Sequence, residues 1–87
     1  MRFWAKEFKD THMLCDLTIE DDSNKTRTEK VFAALEATQE AFNLSAPIWL
    51  ESNIKEFQRY AKVRFRQDSF IEEIPFDYLE FMVLKED

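Results

Sequence analysis

The sequence predicts a small α+β protein. It reads as a two-layer sandwich in which a mostly antiparallel sheet of three or four strands carries two helices on one face, in the order β-β-α-α-(β)-β. Three observations lead there. Residues 13–20 (MLCDLTIE) alternate apolar and polar side chains, as a half-buried strand does. Residues 27–42 repeat apolar side chains at spacings of three and four behind a Thr-x-x-Glu start, the pattern of an amphipathic helix. Residues 76–84 alternate again after Pro75. Strands at both ends with helices between them bury their apolar faces most simply by laying the helices on one side of a shared sheet.

Phe3 to Lys9 is aromatic-rich and free of breakers, so it forms the first strand, and Asp10-Thr11-His12 is the candidate hairpin loop. A two-residue loop would set Trp4 and Phe8 on the face of Leu17 and Met13, whereas a three-residue loop would set Phe3 and Ala5 there. The chain has no glycine at all, which predicts hairpin loops longer than the two-residue Asn-Gly type and helix ends that use Asn instead. Asp21 to Asn24 is a polar linker. Thr26-Arg27-Thr28-Glu29 fits a capping box, so the first helix starts at Arg27; Val31, Leu35, Thr38 and Phe42, with Phe32 and Ala34, form its apolar face, and Asn43 ends it. Pro47 confirms the stop. After the apolar Ile48-Trp49-Leu50, Ser52 caps a second helix with Ile54, Phe57 and Tyr60/Ala61 on one stripe. Lys62 to Gln67 alternates Val63 and Phe65 with basic residues and suits a short edge strand. The last strand sets Leu79, Phe81 and Val83 against Tyr78, Glu80 and Met82, and is placed beside the first.

With 87 residues, 45% of them hydrophobic, the chain holds material for one core, so residues 1–87 read as a single domain. The absence of glycine removes the Walker A loop, the dinucleotide turn, the nucleophile elbow and the calcium loop, all of which need it. One Cys (Cys15) and one His (His12) exclude an internal disulfide and a structural zinc site, and point to a reducing, cytoplasmic setting. No signal peptide or membrane span is legible, and the chain, opening on Met1, reads as a complete small product.

Catalytic groups are scarce. Cys15 and His12 fall three residues apart across a loop-to-strand junction and face different ways, so a core thiol and a loop imidazole are the plainer reading. Glu72, Glu73 and Asp77, or Glu20, Asp21 and Asp22, could pair as acids, yet charge runs are usually solvated. The expectation is a protein that is not an enzyme and needs neither cofactor nor metal. Lys55, Arg59, Lys62, Arg64 and Arg66 form a basic island with Phe57, Tyr60 and Phe65, inside a chain of net charge −6. Cations among aromatics can hold nucleic acid, but overall acidity opposes phosphate, and pairing with Glu51, Asp68, Glu72 and Glu73 is the plainer account. Nine Phe, two Trp and two Tyr exceed what one thin core hides, so Trp4, Trp49 and Tyr60 are candidate interface anchors beside Lys55, Arg59, Arg64 and Arg66.

The stretches TEKVFAALE, PIWLESNIKEF and FIEEIPFDYLEF resemble a group of small bacterial proteins of similar length. What the resemblance implies is a bacterial, cytoplasmic setting; it brings no activity and no site residues. The expected function is a non-enzymatic protein-interaction module or acidic accessory factor, binding a protein partner or itself, with neither nucleic acid nor membrane as the expected partner. Two alternatives stand beside it. One is an acidic mimic of nucleic acid that arrays Asp16, Glu20 and Glu80 on one exposed face; the other is weak nucleic-acid binding through Lys55 to Arg66.

Overall fold

The computed structural model describes residues 1–87. In chain order these form β1 (Arg2–Lys9), β2 (His12–Glu20), α1 (Arg27–Phe42), α2 (Glu51–Tyr60), β3 (Lys62–Phe65), a 3-10 turn (Gln67–Ser69) and β4 (Tyr78–Lys85). All strand pairs are antiparallel, and the sheet order is β2-β1-β4-β3, so the closing strand lies beside the first. One core joins both helices to one face of the sheet. No helix is long and apolar enough to cross a membrane.

The hairpin corrects an expectation. Asp10 and Thr11 alone connect β1 to β2, both in the left-handed region at φ 50° and 67°. Two residues at positive φ match the twist of paired strands, and that geometric fit prevails although neither residue is glycine. A tertiary bond helps hold the turn: the Asp10 amide donates to Asp77 Oδ2 at 2.8 Å. His12 pairs with Lys9 and opens β2 instead of belonging to the loop.

A bulge then decides the faces. Glu7 stands opposite Cys15 but Phe8 opposite Met13, so Leu14 is an extra residue in β2. Beyond it, Phe3 and Ala5 pair with Ile19 and Leu17 and enter the core, while Phe8 and Met13 pair on the far side. The short loop thus coexists with the face assignment that a three-residue loop would have produced, because the bulge supplies the missing residue.

α1 starts as its sequence requires. Thr26 Oγ1 accepts the Glu29 amide at 3.2 Å, and Glu29 Oε1 accepts the Thr26 amide at 3.1 Å. Asn43 closes the helix at φ 54°. Val31, Ala34, Leu35 and Thr38 are buried, the Thr38 hydroxyl donating to the Ala34 carbonyl at 3.0 Å. α2 starts one residue before the expected Ser52 cap. Leu50 is its N-cap, and Asn53 reaches back, its Oδ1 accepting the Leu50 amide and the Ser69 hydroxyl, each at 3.0 Å. Asn53 is buried, so its two acceptor bonds tie the helix start to the 3-10 turn. Of the expected stripe only Phe57 is buried; Ile54 and Tyr60 remain exposed, and Ala61 takes the left-handed C-cap that glycine would usually fill.

Phe3, Phe65, Phe81, Leu79 and Val63 have no exposed surface. Phe81 stacks on Phe3 at 5.5 Å and meets Phe57 at 6.2 Å, while Trp49 stands edge-on to Phe65 at 4.9 Å and to Phe57 at 5.5 Å. The acidic C-terminal residues brace α1: Arg27 forks onto Glu86 at 2.9 and 3.1 Å, and buried Lys30 meets Asp87 at 2.5 Å.

Two stability changes of opposite sign follow. Thr11→Gly relieves a β-branched residue from the left-handed region and is expected to stabilise the fold by about 1 kcal/mol. Phe81→Ala is expected to cost about 4 kcal/mol, a large share of the stability of so small a domain. Urea denaturation followed by far-UV circular dichroism measures both.

Candidate functional site

Pleating sends every second residue to the side of the sheet that carries no helix. The register brings four charges into one row across all four strands: Asp16 of β2, Lys6 of β1, Glu80 of β4 and Arg64 of β3. Signs alternate along the row. The Glu80 carboxylate accepts from Lys6 Nζ on one oxygen and from Arg64 Nε on the other, each at 3.0 Å. Although no helix covers this face, Glu80 is 5% exposed and Lys6 9%. Aromatic rings flank the pair. Lys6 Nζ lies 3.7 Å from the centroid of Trp4, whose Nε1 donates to Asp16 Oδ2 at 2.9 Å. Phe8 stacks on Tyr78 at 5.2 Å, and the guanidinium groups of Arg64 and Arg66 lie 4.7 and 5.2 Å from the Tyr78 ring.

The electrostatics are locally cationic. One carboxylate serves two cations at Glu80, and Lys62 and Arg66 on the neighbouring edge form no ion pair. Burial pushes the Glu80 carboxyl up, but hydrogen bonds from Lys6 and Arg64 together outweigh it and hold the group below the usual range. A folded pKa lowered in this way contributes stability that is present above the ordinary carboxylate range and lost as pH falls through the folded value.

Trp4, Arg64 and Arg66 therefore meet on one surface. The other residues singled out from sequence lie elsewhere. Lys55 pairs with Glu51 at 3.2 Å on the exposed side of α2, and Arg59 lies 5.4 Å from the ring of Tyr60, which is 61% exposed at the end of that helix. Trp49 lies on the helix side. There it lines, with Val31, Phe32, Ile54 and Phe57, a groove of about 310 Å³. Its Nε1 is buried without a hydrogen-bond partner. The basic segment is thus divided between the helix layer and the open sheet face. Lys6, Phe8 and Tyr78 were not among the sequence candidates, and Glu80 was one only as an exposed acid of a nucleic-acid mimic, whereas it is buried between two cations. Their signal was alternation: that of β4 already set Tyr78 and Glu80 on the outer face, but the face of Lys6 and Phe8 in β1 stayed open until the bulge fixed the hairpin register.

The remaining titratable groups brace loops. Glu72 accepts the amide and hydroxyl of Ser45, and Asp77 the amide of Asp10. Burial, reinforced by the facing Glu7 carboxylate, pushes the Cys15 thiol up to about 11, so it is a poor nucleophile at neutral pH.

Comparison with protein-family models, with curated proteins and with solved structures finds no match to this chain. Geometry alone carries the functional argument.

Glu80→Gln is expected to destabilise the protein by about 3 kcal/mol, the low end for a broken buried pair because Arg64 stays partly solvated. The variant's stability should fall less steeply than that of the parent as pH drops below about 4, since one of the carboxylates that drive acid unfolding is gone; urea titrations across pH measure this. Alkylation of Cys15 at pH 8 should run about a hundredfold slower than that of an unstructured thiol.

Proposed function

We propose that this protein is a non-enzymatic protein-interaction module that binds an acidic segment of a protein partner on the helix-free face of its sheet. The observation that carries the reading is the sharing of the Glu80 carboxylate between Lys6 and Arg64 beneath Trp4 and Tyr78, with Lys62 and Arg66 unpaired beside it. A partner carboxylate gains charge-assisted bonds at this edge, and the stems of its neighbours find ring surface at Trp4, Phe8 and Tyr78. Rigid aromatics beside Arg are the composition of interface hot spots. The free Cys15 thiol supports a cytoplasmic setting for such an accessory factor.

Nucleic-acid mimicry is less well supported. Glu20 is paired with Arg2, and Glu80 with Lys6 and Arg64, so acids and bases interleave where a mimic needs an uninterrupted acidic array. Nucleic-acid binding along Lys55 to Arg66 needs one continuous track, whereas Lys55 and Arg59 belong to α2 and Arg64 to β3 on the opposite face.

A photo-crosslinking residue in place of Phe8, compared with one in place of Ile54, tests the reading in cells. The expected result is a protein adduct from the Phe8 position that falls about tenfold when Arg64→Ala and Arg66→Ala are combined. An adduct with nucleic acid at Phe8, no adduct there, or a protein adduct indifferent to the two arginines would each sink the proposal.

A further inference from the structure

β2 is a long, free sheet edge. Its inner side pairs with β1 and its outer side meets no strand. It runs for nine residues, against four in β3 at the opposite edge, where Lys62 and Arg64 stand and α2 packs alongside. Natural edges are commonly blunted by Pro, Lys, a bulge or a cover. From Cys15 to Glu20, β2 has no Pro, Lys or Arg, and its bulge lies at Leu14, toward the hairpin end. The helix layer covers it only in part: α1 packs against β2 and Ile19 against the core, yet Leu17 and Ile19 are half-buried while Ala5 and Phe3, their partners on β1, are fully buried. The edge therefore offers unpaired backbone groups beside an apolar row only partly covered.

We propose that this edge pairs antiparallel with β2 of a second copy, centred on Leu17, to form a continuous eight-stranded sheet. Self-pairing that keeps both helix layers on one side allows only registers in which residues of the same face meet, so the centre moves in whole-residue steps along the strand. Centred on Leu17, Cys15 meets the partner's Ile19 and Asp16 meets the partner's Thr18; no like charges face each other. Centred on Asp16, two carboxylates collide at the axis. Centred on Thr18, Asp16 faces the partner's Glu20 twice. Centred on Cys15, the bulge at Leu14 falls beside the axis, whereas centred on Leu17 it lies at the end of the ladder, opposite the partner's Glu20. Leu17 is the centre that escapes all three penalties, and the apolar row then runs unbroken from one core to the other. A foreign peptide could use the same backbone groups, but a second copy also sets its own half-buried Cys15, Leu17 and Ile19 against the partly covered apolar row. The inference stands apart from the proposed binding on the open face: the two share only Asp16, and Arg64 and Arg66, on which that binding depends, lie at the opposite edge of the sheet.

Sedimentation equilibrium of the full chain from micromolar to millimolar concentration and thiol cross-linking test it, with four variants. The parent is expected to form a reversible dimer. Thr18 is exposed, so Thr18→Asp and Thr18→Lys should both fold, as far-UV circular dichroism will check. The first sets Asp against the partner's Asp16 twice and should weaken the dimer about tenfold; the second should tighten it. A short thiol-to-thiol cross-linker should join copies of Leu17→Cys in a Cys15→Ser background but not the parent, whose Cys15 pair would lie about 13 Å apart along the strands. A monomer at millimolar concentration, a dimer indifferent to the sign of charge at position 18, or a parent that cross-links through Cys15 as readily as the variant would overturn the proposal. Loss of the dimer on Arg64→Ala would instead assign self-association to the open face and overturn it equally.

Discussion

Phe81 stands opposite Ala5 on one side and Val63 on the other, without exposed surface, and both layers of the molecule close on it. Its ring lies against Phe3 within the sheet and Phe57 of α2 above it. Ala5 is small where Phe81 is large, which leaves the volume that the helix layer fills with Phe57, Leu35 and Val31. A domain of this size buries little apolar area in total, so a large share of its stability rests on these few rings.

The pleat carries that constraint through to the other face. Because Phe81 points inward, its neighbour Glu80 must point outward, between Lys6 and Arg64. A slip of one residue in β4 would exchange an aromatic ring in the core for a carboxylate, so the register of the charge row is held by hydrophobic burial and not by the ion pairs themselves. The pairs then add specificity at the surface. Lys6 and Glu80 lie deep between aromatic rings, where leaving either one alone is costly. The charge row of the open face is therefore positioned by the same strand that builds the core.

Doing without glycine has local consequences. Four residues, Asp10, Thr11, Asn43 and Ala61, occupy the left-handed region that glycine reaches without strain. Asn43 does so at little cost, but Thr11 and Ala61 are held there by their surroundings: strand twist at the hairpin, and at Ala61 the turn from α2 into β3, where its amide bonds the Phe57 carbonyl and its carbonyl accepts the Val83 amide. The loop between β3 and β4 is held differently. Gln67 donates to the Glu72 carbonyl and accepts the Ile74 amide, one side chain supplying the bonds that a regular ladder would otherwise provide.

The α+β class, α1 with both its caps, the short basic edge strand and the inward set Leu79 and Phe81 were determined by local pattern: period, capping chemistry and the residues that stop a helix all act over a few neighbouring positions. Trp4, Arg64 and Arg66 could be marked as surface anchors for the same reason, from residue type and spacing. Tertiary structure alone decided which of them meet. The bulge at Leu14 reversed the pairing of β1 and β2 near the hairpin, and β4, coming from the far end of the chain, brought Tyr78 and Glu80 between Lys6 and Arg64. Asn53 took over the start of α2 from Ser52 because Ser69, sixteen residues on, offered a buried hydroxyl to its side chain. Each of these outcomes depends on partners distant in sequence, and an alternating pattern is silent about its neighbours until the sheet has chosen them.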